Sequence, residues 1–148
     1  MLRRVNPIIK IRWMSMLAAC AIAITATVAH GAPATTRFEH AISNLPGKSL
    51  VAVEVDFAPG QISTPHHHAR SAFIFAYVLS GTIRSQVEGE PARDYRAGDT
   101  WYEAPGAHHL QARNMSTSQP ARLLAVFVVD SDDTTLTTPD KPGQGVSR

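Results

Sequence analysis

Phe73-Ile74-Phe75-Ala76-Tyr77-Val78-Leu79, closed by Ser80-Gly81, decides the fold class of this 148-residue chain. The run is apolar at every position, so it reads as a β-strand buried on both sides. Residues 82–88 then alternate as the returning strand of a hairpin. Working outward, residues 50–57 are rich in β-branched side chains and end at the turn Pro59-Gly60. On the other side, Gly89-Glu90-Pro91 and Ala97-Gly98-Asp99 are turns, with Tyr95 in a short connection between them. Residues 100–103, 109–113 and 123–130 supply three more strands. No segment holds a 3.6-residue period. Many short strands punctuated by Gly and Pro predict an all-β sandwich or barrel.

The two ends differ from this middle. Arg3, Arg4, Lys10 and Arg12 precede an uncharged apolar run over 13–29, and small residues follow at Ala29, Gly31, Ala32 and Ala34. That is the pattern of an export signal, so residues 1–31 are expected to be removed and the protein to be periplasmic or secreted, without stable membrane insertion. Leu17-Ala18-Ala19-Cys20 offers a second reading, as the acylation site of a lipoprotein. Cys20 is the only cysteine, so the body has no thiol ligand and no disulfide. The leader also carries the basic excess. Without it ten basic residues face twelve acidic ones, which argues against a nucleic-acid partner. Residues 32–46 form a lead-in with a possible short strand near 38–42, and 47–130 hold the barrel. Residues 131–148, rich in Ser, Thr, Asp, Pro and Gly, are expected to form a mobile polar tail.

Five of the seven histidines fall in two clusters, His66-His67-His68 and His108-His109. On a strand, residues i and i+2 share a face, so His66 and His68 can point at one ion while His67 points away. A third imidazole can come from the second cluster. Imidazole suits iron, zinc, copper, nickel and cobalt, and manganese is possible. The alternative is that these adjacent histidines are surface polar residues, or a loose metal-scavenging tract.

The residues around these clusters carry a resemblance. Gly60, five residues, His66-x-His68 and then Tyr77-Val78-Leu79-Ser80-Gly81 resemble the first motif of the cupin superfamily. Gly98-Asp99, then Pro105-Gly106, two residues, His109 and Asn114 are similar to the second. The chain is thereby identified as similar to small single-domain bacterial cupins. The resemblance implies a jelly-roll β-barrel with one divalent metal inside it, usually as a homodimer. It points to His66, His68 and His109 as ligands, with Fe2+ foremost and Zn2+, Mn2+, Ni2+, Cu2+ or Co2+ as alternatives. Three features depart from the family pattern. The carboxylate expected a few residues after the second His is missing, since Ser71, Ala72, Phe73 and Ile74 occupy those places. Ala104 stands where a proline is expected, with Pro105 following. Asn114 comes one residue late relative to His109, which implies a local bulge or a shift of the ligand to His108.

Three neutral imidazoles without a carboxylate would leave the ion its full charge and positions open to water, dioxygen or substrate. Thiol dioxygenases and some diketone-cleaving dioxygenases of the superfamily resemble this. Glu103 and Tyr102 could face the cavity as acid, base or orienting groups, although a solvated rim position is the plainer reading of Glu103. Gln111, two residues from His109, would share its face and reach a metal-bound water. Trp101, Phe73, Phe75 and Tyr77 read as barrel core, and Arg70 and Arg113 as surface cations rather than a carboxylate clamp. Two function classes stay open: a metal-dependent enzyme acting on a small organic substrate, and a non-catalytic module that binds a ligand or the metal itself.

Overall fold

The computed structural model describes residues 32–141, which contain ten strands and no helix. The strands are β1 (Ala34–Ala41), β2 (Lys48–Phe57), β3 (His66–His68), β4 (Phe73–Ser80), β5 (Thr82–Val87), β6 (Arg93–Arg96), β7 (Thr100–Glu103), β8 (His108–Asn114), β9 (Ala121–Asp130) and β10 (Thr137–Pro139). They form two five-stranded sheets, ordered β1-β2-β9-β4-β7 and β10-β3-β8-β5-β6. Every pairing is antiparallel. This is an all-β jelly roll.

Alternation builds the interior. Val51 and Val53 of β2, Ile74, Ala76 and Val78 of β4, and Leu123, Ala125, Phe127 and Val129 of β9 all turn inward and are buried. Their neighbours face outward. Ile83 of β5 and Ala112 of β8 close the core from the opposite sheet. Asn114 is fully buried and its amide donates to the carbonyls of Phe57, Ala58 and Gln119, so the end of the second histidine motif ties β8 to the end of β2.

Gly81, the last residue of the first motif, has φ of 79° in the β4–β5 turn. A Cβ there would lie 2.6 Å from the Cβ of Ala121, so only glycine fits at the point where the turn meets the start of β9.

Four expectations are corrected. The 73–79 run is not buried on both sides: Phe73, Phe75 and Leu79 are 44, 43 and 36 % exposed. They lie on the outer face of their sheet, which no other part of the described chain covers. The barrel also extends past 47–130, because β1 and β10 occupy sheet edges. The segment after residue 130 is not loose throughout, since Leu136 packs on the core and β10 pairs with β3. Tyr95 belongs to a strand, β6, held by the Arg84–Asp94 pair and by Tyr95 against Trp101 at 4.5 Å. The export signal and Cys20 lie outside the described residues.

Candidate metal centre

β3 is only three residues long, yet it sets the site. His66 and His68 turn inward, and His67 turns outward with its side chain 54 % exposed. In the β3–β8 ladder His66 sits opposite His109 and His67 opposite His108. Directly opposed residues of an antiparallel pair share a face, so the two histidine clusters divide into an inner and an outer set.

The inner set comprises His66, His68 and His109. One ring nitrogen from each lies within 4.8 Å of the other two, which is a grouping that could hold a metal ion. His66 Nδ1 donates to the Thr64 carbonyl at 2.8 Å, which leaves Nε2 free as a ligand atom. The Ser85 hydroxyl holds His109 Nε2 at 2.9 Å. The edge of the Phe127 ring packs on His68 at 5.8 Å between centroids.

Glu103 completes the site. It is 3 % exposed, and its Oε2 lies 2.9 Å from His68 Nε2 while Oε1 lies 3.4 Å from His109 Nδ1. Trp101 Nε1 donates to Oε1 at 3.0 Å. The rim position expected for Glu103 is therefore wrong. Its cross-strand partner is Ile74, one of the four positions after His68 where the carboxylate was missing. The carboxylate thus enters from β7, the strand hydrogen-bonded to β4, and the site is not carboxylate-free.

Burial and charge set the protonation states. Burial lowers His109 to about 4 and also lowers His66, so both rings are neutral at pH 7 and can act as ligands. Burial would raise the Glu103 carboxyl, but the His68 and His109 rings outweigh it and hold it below its ordinary value. Both ring nitrogens of His68 and Oε2 of Glu103 are buried without a well-directed hydrogen bond. Buried lone pairs left in this way are costly, and a cation among them would satisfy them. The donor set fits a divalent transition ion.

The cavity beside the triad has a volume of about 450 Å3. Its polar end carries the three histidines and Glu103, and its walls include Val53, Ile74, Leu123, Ala125 and Phe127, with no Lys or Arg. Arg70 and Arg113 are exposed, away from this wall. Tyr102 does not face the cavity: it is 68 % exposed and stacks on Phe73 at the outer face. Gln111 does not share the face of His109 either. Gln86 pairs with Gln111 and Val87 with His109, so Leu110 is bulged out and Ala112 takes the inward place. The same bulge explains the late Asn114 and keeps His109, not His108, inside.

Comparison with known proteins gives the family and the fold. A family model described as a cupin domain matches residues 53–127. Oxalate oxidase in complex with the substrate analogue glycolate superposes with a TM-score of 0.55 at 24 % identity, over 70 % of this chain and 53 % of that one. An uncharacterised conserved protein with a double-stranded β-helix domain from Klebsiella pneumoniae gives 0.58 at 18 % identity, over 75 % and 85 %. The DMSP lyase DddQ from Ruegeria pomeroyi gives 0.52 at 24 %, over 65 % and 45 %. The chain spans about half the length of the oxalate oxidase it matches, 53 %. No curated protein matches it.

Proposed function

Because this chain belongs to the cupin family, we propose that it is an exported metal-dependent enzyme. It holds one divalent transition ion at His66, His68 and His109 and acts on a small organic substrate, with dioxygenase-type chemistry and Fe2+ as the foremost metal. The observation that carries this reading is the convergence of three imidazoles, with His68 Nε2 facing the buried Glu103 carboxylate at 2.9 Å and neither His68 nitrogen in a well-directed hydrogen bond.

The chain's own residues define the site. His66 and His109, neutral through burial, present lone pairs at pH 7. Thr64 and Ser85 hold those two rings in place. Glu103 offsets part of the ion's charge and accepts or returns a proton beside His68 and His109. When bound, the ion supplies Lewis acidity and open positions for substrate or dioxygen. The wall is mostly apolar and has no cationic side chain, so the ion would be the positive anchor for an oxygen or thiolate end of the substrate.

The test is oxygen uptake by iron-loaded protein against carboxylate, thiol and phenolic compounds. Turnover that disappears in His109→Ala supports an enzyme. Binding of a compound without turnover would replace this reading with that of a ligand-binding module.

Two further parts of the proposal stand on separate features. The charged and apolar pattern of residues 1–31 supports export, tested by mass spectrometry of the mature N-terminus. The exposed Phe73, Phe75, Leu79 and Tyr102 support a homodimer that covers this face.

A further inference from the structure

The outer histidine set has its own partners. His67 and His108 stack with centroids 4.0 Å apart and an interplanar angle of 14°. Asp140, just past β10, reaches both: its Oδ2 is 2.9 Å from His108 Nε2 and its Oδ1 is 3.9 Å from His67 Nε2. Glu88 approaches His108 Nδ1 from the other side at 3.6 Å. The Asp140 amide donates to the Pro65 carbonyl at 3.0 Å, which fixes the carboxylate next to β3. His108 and Asp140 side chains are only 15 and 17 % exposed, so neither is a free surface group.

We propose that His67, His108 and Asp140 form a second divalent-metal site, on the outside of the barrel, which fastens the C-terminal strand β10 to β3 and β8. One ligand atom from each residue lies within 4.8 Å of the others. Asp140 turns a different oxygen to each ring, Oδ2 to His108 Nε2 at 2.9 Å and Oδ1 to His67 Nε2 at 3.9 Å, so its carboxylate reaches both imidazoles. Two imidazoles and one carboxylate suit zinc, copper, nickel or cobalt and disfavour calcium and magnesium.

The topology gives the site a role. β10 is three exposed residues long and, among the described residues, pairs only with β3, the strand that carries His66 and His68. Thr138 of β10 lies opposite His67. Leu136, Thr137 and Pro139 also line the inner cavity. An outer ion therefore closes a wall of that cavity from outside, by joining three segments distant in sequence.

Zinc is the probe. Full-length protein is dialysed against buffered zinc, and metal content is measured together with amide hydrogen exchange. The expected result is two equivalents in the unaltered protein. Asp140→Ala and His67→Ala should each bind one. A His66→Ala/His109→Ala double variant should also keep one, which separates this site from the inner triad. With zinc at about ten times Kd, exchange at Thr137, Thr138 and Asp140 should slow about tenfold in that double variant. A double variant that binds no zinc overturns the proposal, as does retention of both equivalents by both Asp140→Ala and His67→Ala. Comparing those two single variants guards against a loss caused by detachment of β10, because His67→Ala leaves Asp140 and the β10 ladder in place. Failure of the inner reading would look different: His66→Ala/His109→Ala would keep the zinc content of the unaltered protein.

Discussion

Replacing Glu103 with Gln keeps the volume and the acceptor for Trp101 but removes the negative charge from the inner site. The carboxylate lies 2.9 Å from His68 Nε2 and 3.4 Å from His109 Nδ1, at 3 % exposure, so water cannot substitute for it. Removing a group that orients metal-bound histidines lowers metal affinity about 10- to 100-fold, or about 1.4–2.7 kcal/mol. The metal-free fold should be affected much less. The amide still accepts from Trp101 Nε1, and the cost of burying an ionised carboxylate is removed. The assay is zinc competition with a chromophoric chelator, in the Asp140→Ala background so that only the inner site is read. A thermal melt of the metal-free protein accompanies it. Weakened zinc binding with a nearly unchanged melting temperature is the expected pair. An affinity within about threefold of the parent would refute the placement of Glu103 in the site.

Acid should destabilise the metal-free protein earlier than carboxylate titration alone would. His109 is lowered to about 4 against an ordinary 6.5, so between those values the unfolded chain binds a proton that the folded one refuses, and stability falls with pH. Up to about 3 kcal/mol is lost across that window, read from urea melts at stepped pH, and a flat profile would contradict the burial argument. Glu103 is lowered instead, so the stability it contributes is present above its ordinary value of 4.5 and fades below that as the carboxylate becomes protonated. Gly81→Ala should cost about 2–4 kcal/mol in equilibrium unfolding, from the left-handed backbone and the contact with Ala121. Deleting residues 131–148 should lower the melting temperature by several degrees, because it removes Leu136 from the core and Asp133 from Ser71; no change would restore the expectation of a loose tail. Phe75→Glu should shift sedimentation from dimer to monomer if the outer face of β4 is the subunit contact, and an unchanged profile would exclude that face.

Much of the site was legible because strand periodicity is simple. The alternation at His66-His67-His68 is enough to separate inner from outer imidazoles. Paired turns and apolar runs are enough to indicate a barrel. What stayed hidden depends on contacts distant in sequence or on one-residue irregularities. Leu110 carries no signal that it is bulged, yet that bulge sends Gln111 outward and keeps His109 in. Tyr102 and Glu103 are neighbours in sequence, and only the pairing of β7 with β4 shows that Glu103 is the inward one. Thr137-Thr138-Pro139 has no apolar pattern, because β10 is held by its ladder to β3 and by Leu136 beside it. The apolar 73–79 run suggested two buried faces, but composition cannot tell whether the second cover comes from the same chain.

The central claim is that His66, His68 and His109 hold one divalent ion inside the barrel. X-ray absorption on Asp140→Ala protein loaded with a single equivalent of zinc tests it most directly, since the outer set is then disabled. The account predicts three imidazole ligands with zinc–nitrogen distances of about 2.0–2.1 Å, and loss of the bound zinc when His109→Ala is added. A spectrum without imidazole scattering, or full loading of that double variant, would contradict it.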